Sequence, residues 1–272
     1  MKKIRFLHIP KTAGTTFTQL LNVIYHDKAK FQFTGDIKSD TKRFDELPDT
    51  DKNIDIYSGH APIYTGVNSI DAVDKITFLR DPVERVKSFC QHVYEGKSDY
   101  LKHRFTQEDF DLDAFLNSKI LELHNLQTKM LLNTGACAPT IKVLRSDAVD
   151  LAFDNLINKI SAYGLLEYFD ESLILFKSKF KWYIPPYKIS NIKNKDALLE
   201  FRPRHIDKIK QNNELDIKLY QLAYNRFLKE INTPSFNRNG LKRYQRKLNN
   251  QQFKIDKFID LFEKTMHRIR MR

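Results

Sequence analysis

The sequence predicts an α/β fold, a three-layer domain with a central parallel sheet flanked by helices, and three observations lead there. Short apolar runs alternate with helical periodicity from the first residues onward. The joints between them carry Gly, Pro and Asp, and no internal repeat or low-complexity stretch interrupts the pattern. Ile4 to Ile9 reads as a buried strand running into the loop Pro10 to Gly14. A helix follows in which Phe17, Leu20, Leu21 and Ile24 recur at i, i+3, i+4 and i+7. Residues 26–52 are polar and patternless and read as a loop region holding at most a short helix. Ile54 to Ser58 alternates like a strand and ends at Gly59-His60, and Lys75 to Leu79 is another strand, ending at Arg80. Asp81 then serves as N-cap, Pro82 fits the first helical position and Glu84 completes a pattern like a capping box, so a helix should run to about Tyr94. Helical patterns follow over roughly 109–133, closed by Gly135, and over 146–158. A strand is expected at Ser161 to Leu165, and helices at Phe169 to Phe180 and Leu215 to Ile231, the last stopping before Pro234.

Hydrophobic residues make up 41% of the 272, enough for a sizeable core. The net charge of +12 favours anionic partners, but it is unevenly placed. From Asn237 to Arg272 there are 11 basic and 3 acidic residues, a net of +8, which leaves +4 for residues 1–236. Residues 1–236 are therefore expected to form the main domain and 237–272 a basic amphipathic helical tail. In that tail Ile255, Phe258, Ile259, Phe262, Met266 and Ile269 supply the apolar side. The tail is expected to dock on its own domain or a partner, to contact an anionic surface, or to self-associate. Cys90 and Cys137 are too few and too far apart for a disulfide framework or a metal site, and both are expected as free thiols. No apolar run approaches the roughly 20 residues of a membrane span and no secretory segment is visible, so a cytoplasmic protein is expected.

The segment His8 to Thr16 sits between a strand and a helix, where backbone N–H groups converge and the helix dipole adds about half a positive charge. Gly14 is expected to let the backbone approach an oxyanion; Thr12, Thr15 and Thr16 add hydroxyl donors, Ala13 lies among them, and Lys11 brings a mobile cation. The arrangement is P-loop-like. Aligned with G-x-x-x-x-G-K-[ST] on Gly14, however, it has Ile9 at the first Gly and Thr15 where the phosphate lysine belongs. A kinase would lack its main contact to the β- and γ-phosphates, which points to a different anionic ligand.

The run His8 to Thr16 resembles the 5'-phosphosulfate loop of sulfotransferases that use 3'-phosphoadenosine 5'-phosphosulfate (PAPS), in the branch containing heparan sulfate 2-O-sulfotransferase and bacterial relatives. The segment Thr77 to Ser88, with Arg80-Asp81-Pro82 at its strand end and Ser88 eight residues on, is similar to the family's 3'-phosphate element. Arg offers a fork of donors suited to phosphate and Ser a hydroxyl from the next helix; Arg85 and Lys87 read as solvated. Tyr57 to Pro62 resembles the Gly-His segment carrying the catalytic histidine of this branch, which makes His60 the expected general base, with His8 a rival that instead shapes the loop. Lys11 is the candidate for stabilising the bridging oxygen as the sulfur–oxygen bond breaks. His124 to Leu131 and Tyr163 to Ser172 also resemble family segments; Gln127 and Thr128 either face nucleotide or acceptor or belong to a plain helix, which would explain them almost as well.

The resemblance, over about residues 4–232, implies transfer of a sulfuryl group from PAPS to a hydroxyl, most naturally of a carbohydrate or glycoconjugate and possible for an acidic saccharide, without a metal. Two other classes stay open. One is a P-loop kinase of a small alcohol or nucleoside. The other is a basic module for nucleic acid or membrane, against which stands a tail without the aromatic pattern of single-strand binders, so that no specific nucleic acid is expected.

Overall fold

The computed structural model describes residues 1–105, 108–132, 146–187 and 198–251. Five parallel strands form one sheet: β1 (Ile4–Leu7), β2 (Lys30–Phe33), β3 (Ile56–Gly59), β4 (Asp74–Leu79) and β5 (Ala162–Leu165), in the spatial order β2-β3-β1-β4-β5. The register sets Leu7 beside Gly59 on one side and Thr77 on the other, so β1, β3 and β4 end side by side. The chain builds outward from β1 in both directions, and the carboxyl ends of these strands therefore border the crevice where open α/β sheets bind ligands.

Helices cover both faces: α1 (Gly14–Ile24), α2 (Ile37–Asp45), α3 (Asn68–Asp71), α4 (Pro82–Tyr94), α5 (Leu112–Leu116), α6 (Leu126–Leu131), α7 (Ala148–Asn158), α8 (Phe169–Phe180), α9 (Pro203–Asn212) and α10 (Glu214–Ile231). The main core joins β1 and β4 to α1, α8 and α10 through Phe6, Phe17, Phe78, Phe176 and Phe227. Phe17 lies edge-on to Phe6, Phe78 and Phe176 at centroid distances of 4.8, 5.0 and 5.6 Å, which ties α1 to the sheet directly behind the loop.

Four elements depart from the expectation. The supposed loop over 26–52 holds the edge strand β2 and the nine-residue α2, which Asp36 caps by accepting from Lys38 and Ser39 N–H. The single helix over 109–133 is three pieces, α5, a 3₁₀ turn at Leu121–Leu123 and α6. The break before α6 falls at Asn125, whose φ of 48° no continuous helix allows. Helix α9, not foreseen, starts at Pro203. Arg85 is not solvated but fully buried, its Nη2 donating to the Glu122 carbonyl at 2.7 Å, whereas Lys87 does pair with Glu84 near the surface, at 2.7 Å. Cys90 is a buried free thiol.

The basic segment begins with helix over 238–251 that lies on the domain: Tyr244 is buried and donates to the Pro185 carbonyl at 2.9 Å. The apolar positions expected at 255–269, and Cys137 and Gly135, lie outside the described residues. Among the described residues no helix is long and apolar enough to cross a membrane.

Candidate active site

The loop between β1 and α1 is built as an anion cradle. Lys11 and Ala13 have φ of 68° and 80°, a left-handed backbone costing a non-glycine residue about 1–3 kcal/mol, while Thr12 between them does not. Such alternation turns successive N–H groups toward one point, the geometry of an anion-binding nest. Correspondingly, the backbone N–H groups from Lys11 to Thr16 bond no acceptor among the described residues; the first bond of α1 is Phe17 N–H to the Ala13 carbonyl at 3.0 Å. The first turn of α1 carries no acid and no side-chain cap. Thr12 Oγ1 is turned inward, donating to the Ile9 carbonyl at 2.8 Å, so this hydroxyl braces the loop; Thr15 is exposed and Thr16 half-buried.

Gly14 also meets a packing demand that its sequence position did not show. A Cβ there would fall 1.5 Å from Nε2 of His8, whose ring lies directly on the glycine. That ring stacks on Phe6 at 5.4 Å and meets His60 at 4.3 Å. Burial, with His60 and Lys11 nearby, holds His8 far below the ordinary histidine range, so it is neutral. His8 thus packs the floor of the loop, the second of the two roles open to it.

His60 stands just past β3. Gly59, with φ of 129°, brings the strand end so near β2 that a Cβ would meet the Phe33 carbonyl oxygen at 2.2 Å; only glycine fits. Beyond His60 the chain is held by Arg5, fully buried, which pairs with Asp71 at 2.9 Å and donates to the Pro62 and Ile63 carbonyls. His60 Nδ1 lies 2.9 Å from the His8 carbonyl, which can only accept. Nδ1 therefore carries the proton and Nε2 keeps its lone pair. Burial is the largest influence on His60 and lowers its pKa, against the hydrogen bond to His8 and the nearby Glu122, which raise it. The ring is a neutral base held in the required tautomer.

Arg80 ends β4 opposite the loop. Its Nη1 donates to the Lys11 carbonyl at 3.2 Å, bringing the two predicted anion-binding cations together. Burial and then Arg80 lower the Lys11 pKa to about 8. Among the described residues neither cation has an ion-pair partner, although Glu95 influences Lys11, and Glu167, Glu84 and Asp81 influence Arg80, from a distance. Two half-buried cations close together, with acids acting only from a distance, make the site attractive to an anion. Asp81 caps α4 as predicted, accepting from Glu84 N–H at 2.9 Å, and its own N–H is held by Glu167 at 2.8 Å. The hydroxyl of Ser88, two turns into α4, makes no hydrogen bond among the described residues. It shares its helix face with His92 and Glu95, and Lys11 lies near enough to both to exchange charge effects with them.

Gln127 and Thr128 do not face a ligand. Both are buried, Thr128 donating to Asp216 at 2.8 Å and Gln127 bonding the Arg80 backbone. Asp216, His92 and Glu122 were not singled out by sequence. A lone acid or histidine on an amphipathic helix reads as solvated, and only the tertiary fold turns these inward. A separate surface cavity of about 630 Å³ opens at the other end of β1 and β4; of its lysines, Lys2 pairs with Asp74, Lys3 donates to Asn53 and Lys75 to the Asp71 carbonyl. Among the described residues no cluster of His, Cys, Asp and Glu is arranged to hold a metal.

Residues 1–134 match the profile described as Sulfotransferase family. No curated protein matches the chain. Among solved structures it is similar to mouse sulfotransferase SULT7A1 complexed with PAP, at 12% identity and a TM-score of 0.41, over 90% of this chain and 89% of that one. The loop, His60, Arg80 and Ser88 all lie inside the matched 134 residues, a little under half of the 272, so the match to the sulfotransferase family falls on the candidate site.

Proposed function

We propose that the enzyme moves a sulfuryl group from PAPS to a hydroxyl of a carbohydrate or glycoconjugate, with His60 as general base. The observation that carries this reading is the pair Lys11 and Arg80, half-buried and without an ion-pair partner among the described residues, beside the backbone N–H groups of Lys11 to Thr16, which bond no acceptor there. The loop from Lys11 to Thr16 holds the 5' end of the donor; Arg80 and Ser88 hold its 3'-phosphate. Nε2 of His60 takes the acceptor's proton as the acceptor oxygen bonds to sulfur. The bond from sulfur to the bridging oxygen breaks, the electron pair leaves with the phosphate of adenosine 3',5'-bisphosphate (PAP), and Lys11 meets the charge developing there. Positioning and fixed charge carry most of the rate, as in phosphoryl transfer. The mildly basic main domain suits an acidic saccharide among such acceptors.

A thermal-shift titration tests the donor assignment. At about 100 times its dissociation constant PAP stabilises by about 2.7 kcal/mol, a shift of several degrees. ATP-Mg and adenosine 5'-monophosphate (AMP), at equal concentration, should give less. A folded sample indifferent to PAP removes the assignment.

Lys11 makes binding pH-dependent with a definite sign. In the free enzyme it loses its charge as pH rises through about 8. A bound anion favours the charged form, so PAP affinity falls above that pH and binding at pH 8.5 takes up protons. Calorimetry in two buffers of different ionisation heat reads the uptake. It should vanish in Lys11→Met, and an uptake unchanged in that variant assigns the titration elsewhere.

A further inference from the structure

We propose that Gln127 is a positioning residue for Arg80, which makes it a determinant of how well the enzyme distinguishes a 3'-phosphorylated nucleotide from one without that group. The proposal rests on the reading of Arg80 as the 3'-phosphate ligand. Arg80 lies one residue beyond the last sheet pair, Leu79 with Leu165, so the ladder no longer fixes its backbone. Gln127 replaces the ladder. Its Oε1 accepts from Arg80 N–H at 3.0 Å and its Nε2 donates to the Arg80 carbonyl at 2.9 Å. Two opposed bonds to one residue fix the peptides on both sides of its Cα and hence the direction in which the side chain leaves. The guanidinium gains a second fixed point at the Lys11 carbonyl.

The clamp is itself rigidly mounted. Gln127 is 1% exposed, and its own N–H donates to Asp216 Oδ2 at 3.0 Å. Asp216 Oδ1 accepts from Thr128 N–H and Oγ1, at 2.7 and 2.8 Å, so an acid of α10 caps α6. The relation is reciprocal: Asn125, at the start of α6, accepts from Leu215 and Asp216 N–H at 3.0 and 3.1 Å and so caps α10. Asn213 closes the ring, accepting from Asn125 N–H at 3.0 Å and donating to the Leu123 carbonyl at 2.8 Å. Each helix thus holds the other's start, and the joint product is one amide aimed at Arg80.

The chemistry is specific to an amide. Only a carboxamide donates and accepts at the two ends of one plane. In Gln127→Glu the second carboxylate oxygen faces the Arg80 carbonyl, and in Gln127→Met both backbone groups are left unpaired. A guanidinium fork recognises phosphate by direction as well as charge, so a misdirected Arg80 keeps its charge and loses the geometry.

The test titrates the full chain with PAP and with AMP, in wild type, Gln127→Glu, Gln127→Met and Arg80→Ala. The expected result is a fall of about 10- to 100-fold in PAP affinity in the Gln127 variants, the size typical of lost outer-shell support, with AMP affinity within about twofold. A purely structural role lowers both affinities together, and that result, or an unchanged PAP affinity, overturns the proposal. Should Gln127→Met fail to fold, the nearly isosteric Gln127→Glu decides. Arg80→Ala separates the two levels of the argument. If it keeps the preference for PAP, the assignment of Arg80 is wrong and the proposal falls with it. If it loses the preference while the Gln127 variants keep it, only the positioning role is wrong.

Discussion

Replacing His60 with Ala is expected to cut turnover by about 10²- to 10⁴-fold, the usual contribution of a positioned general base, while PAP affinity stays within about twofold. The separation follows from where the ring is tied. Among the described residues the ring's one hydrogen bond runs from Nδ1 to the His8 carbonyl, 2.9 Å away, and the loop after β1 is braced independently, by Thr12 on the Ile9 carbonyl. In the proposed mechanism Nε2 serves the acceptor's proton and not the nucleotide. Burial lowers the pKa below the model-peptide 6.5, so the base is ready at neutral pH. On the acid side the rate should fall as pH drops below 6.5 and His60 becomes charged; this acid limb, unlike the alkaline effect of Lys11, should be missing from the residual activity of His60→Ala. Steady-state kinetics with PAP calorimetry on the same samples checks both parts. Equal loss of rate and affinity rules out the base assignment. His8→Ala is the discriminating companion: its backbone carbonyl remains to orient His60, so it should lose less turnover than His60→Ala, and the reverse order exchanges the two roles.

Much of this site was legible in the sequence because its signals are local. A strand ending in a Gly/Thr-rich loop, an Arg before Asp-Pro, and a Gly-His pair are each written within a few residues, and the parallel topology then brings the three strand ends together. What was not legible depends on distant partners. Strand β2 reads as loop because alternate residues are exposed and its Phe31 and Phe33 are buried by side chains of other elements, among them Phe44 and Tyr57. The helix expected over 109–133 breaks at Asn125 because its carboxamide serves α10, some 90 residues away. Arg85 looked like a surface charge on an amphipathic helix, but the Glu122 carbonyl reaches it from another element. One demand on Gly14 was also hidden: its place in a phosphate-type loop suggested backbone approach to a ligand, but not that the His8 ring fills the space a Cβ would need.

That packing demand gives Gly14→Ala a large and specific effect. The added methyl would stand 1.5, 2.0 and 2.1 Å from Nε2, Cδ2 and Cε1 of His8, so it strikes a ring and not the end of a flexible chain. The ring has little freedom to leave: Phe6 stacks on one side at an interplanar angle of 11°, His60 lies against it, and the His8 N–H is fixed to the Gly59 carbonyl at 3.0 Å. The strain must therefore go into the loop, whose left-handed Lys11 and Ala13 are already costly conformations. Overpacking of this kind costs about 1–3 kcal/mol or more, which at about 2–4 °C per kcal/mol lowers the melting temperature on the order of 5–10 °C. Donor affinity should fall more than about tenfold, since the N–H groups that form the cradle are the ones displaced. A second substitution decides whether the ring is the cause. In His8→Ala the space over Gly14 is open, so Gly14→Ala should cost little there, with a coupling of at least about 1 kcal/mol in the double-mutant cycle. Strict additivity would mean that the loop needs glycine for its backbone and not for its neighbour, and would leave Gly14 only the role of ligand approach that its sequence position first suggested.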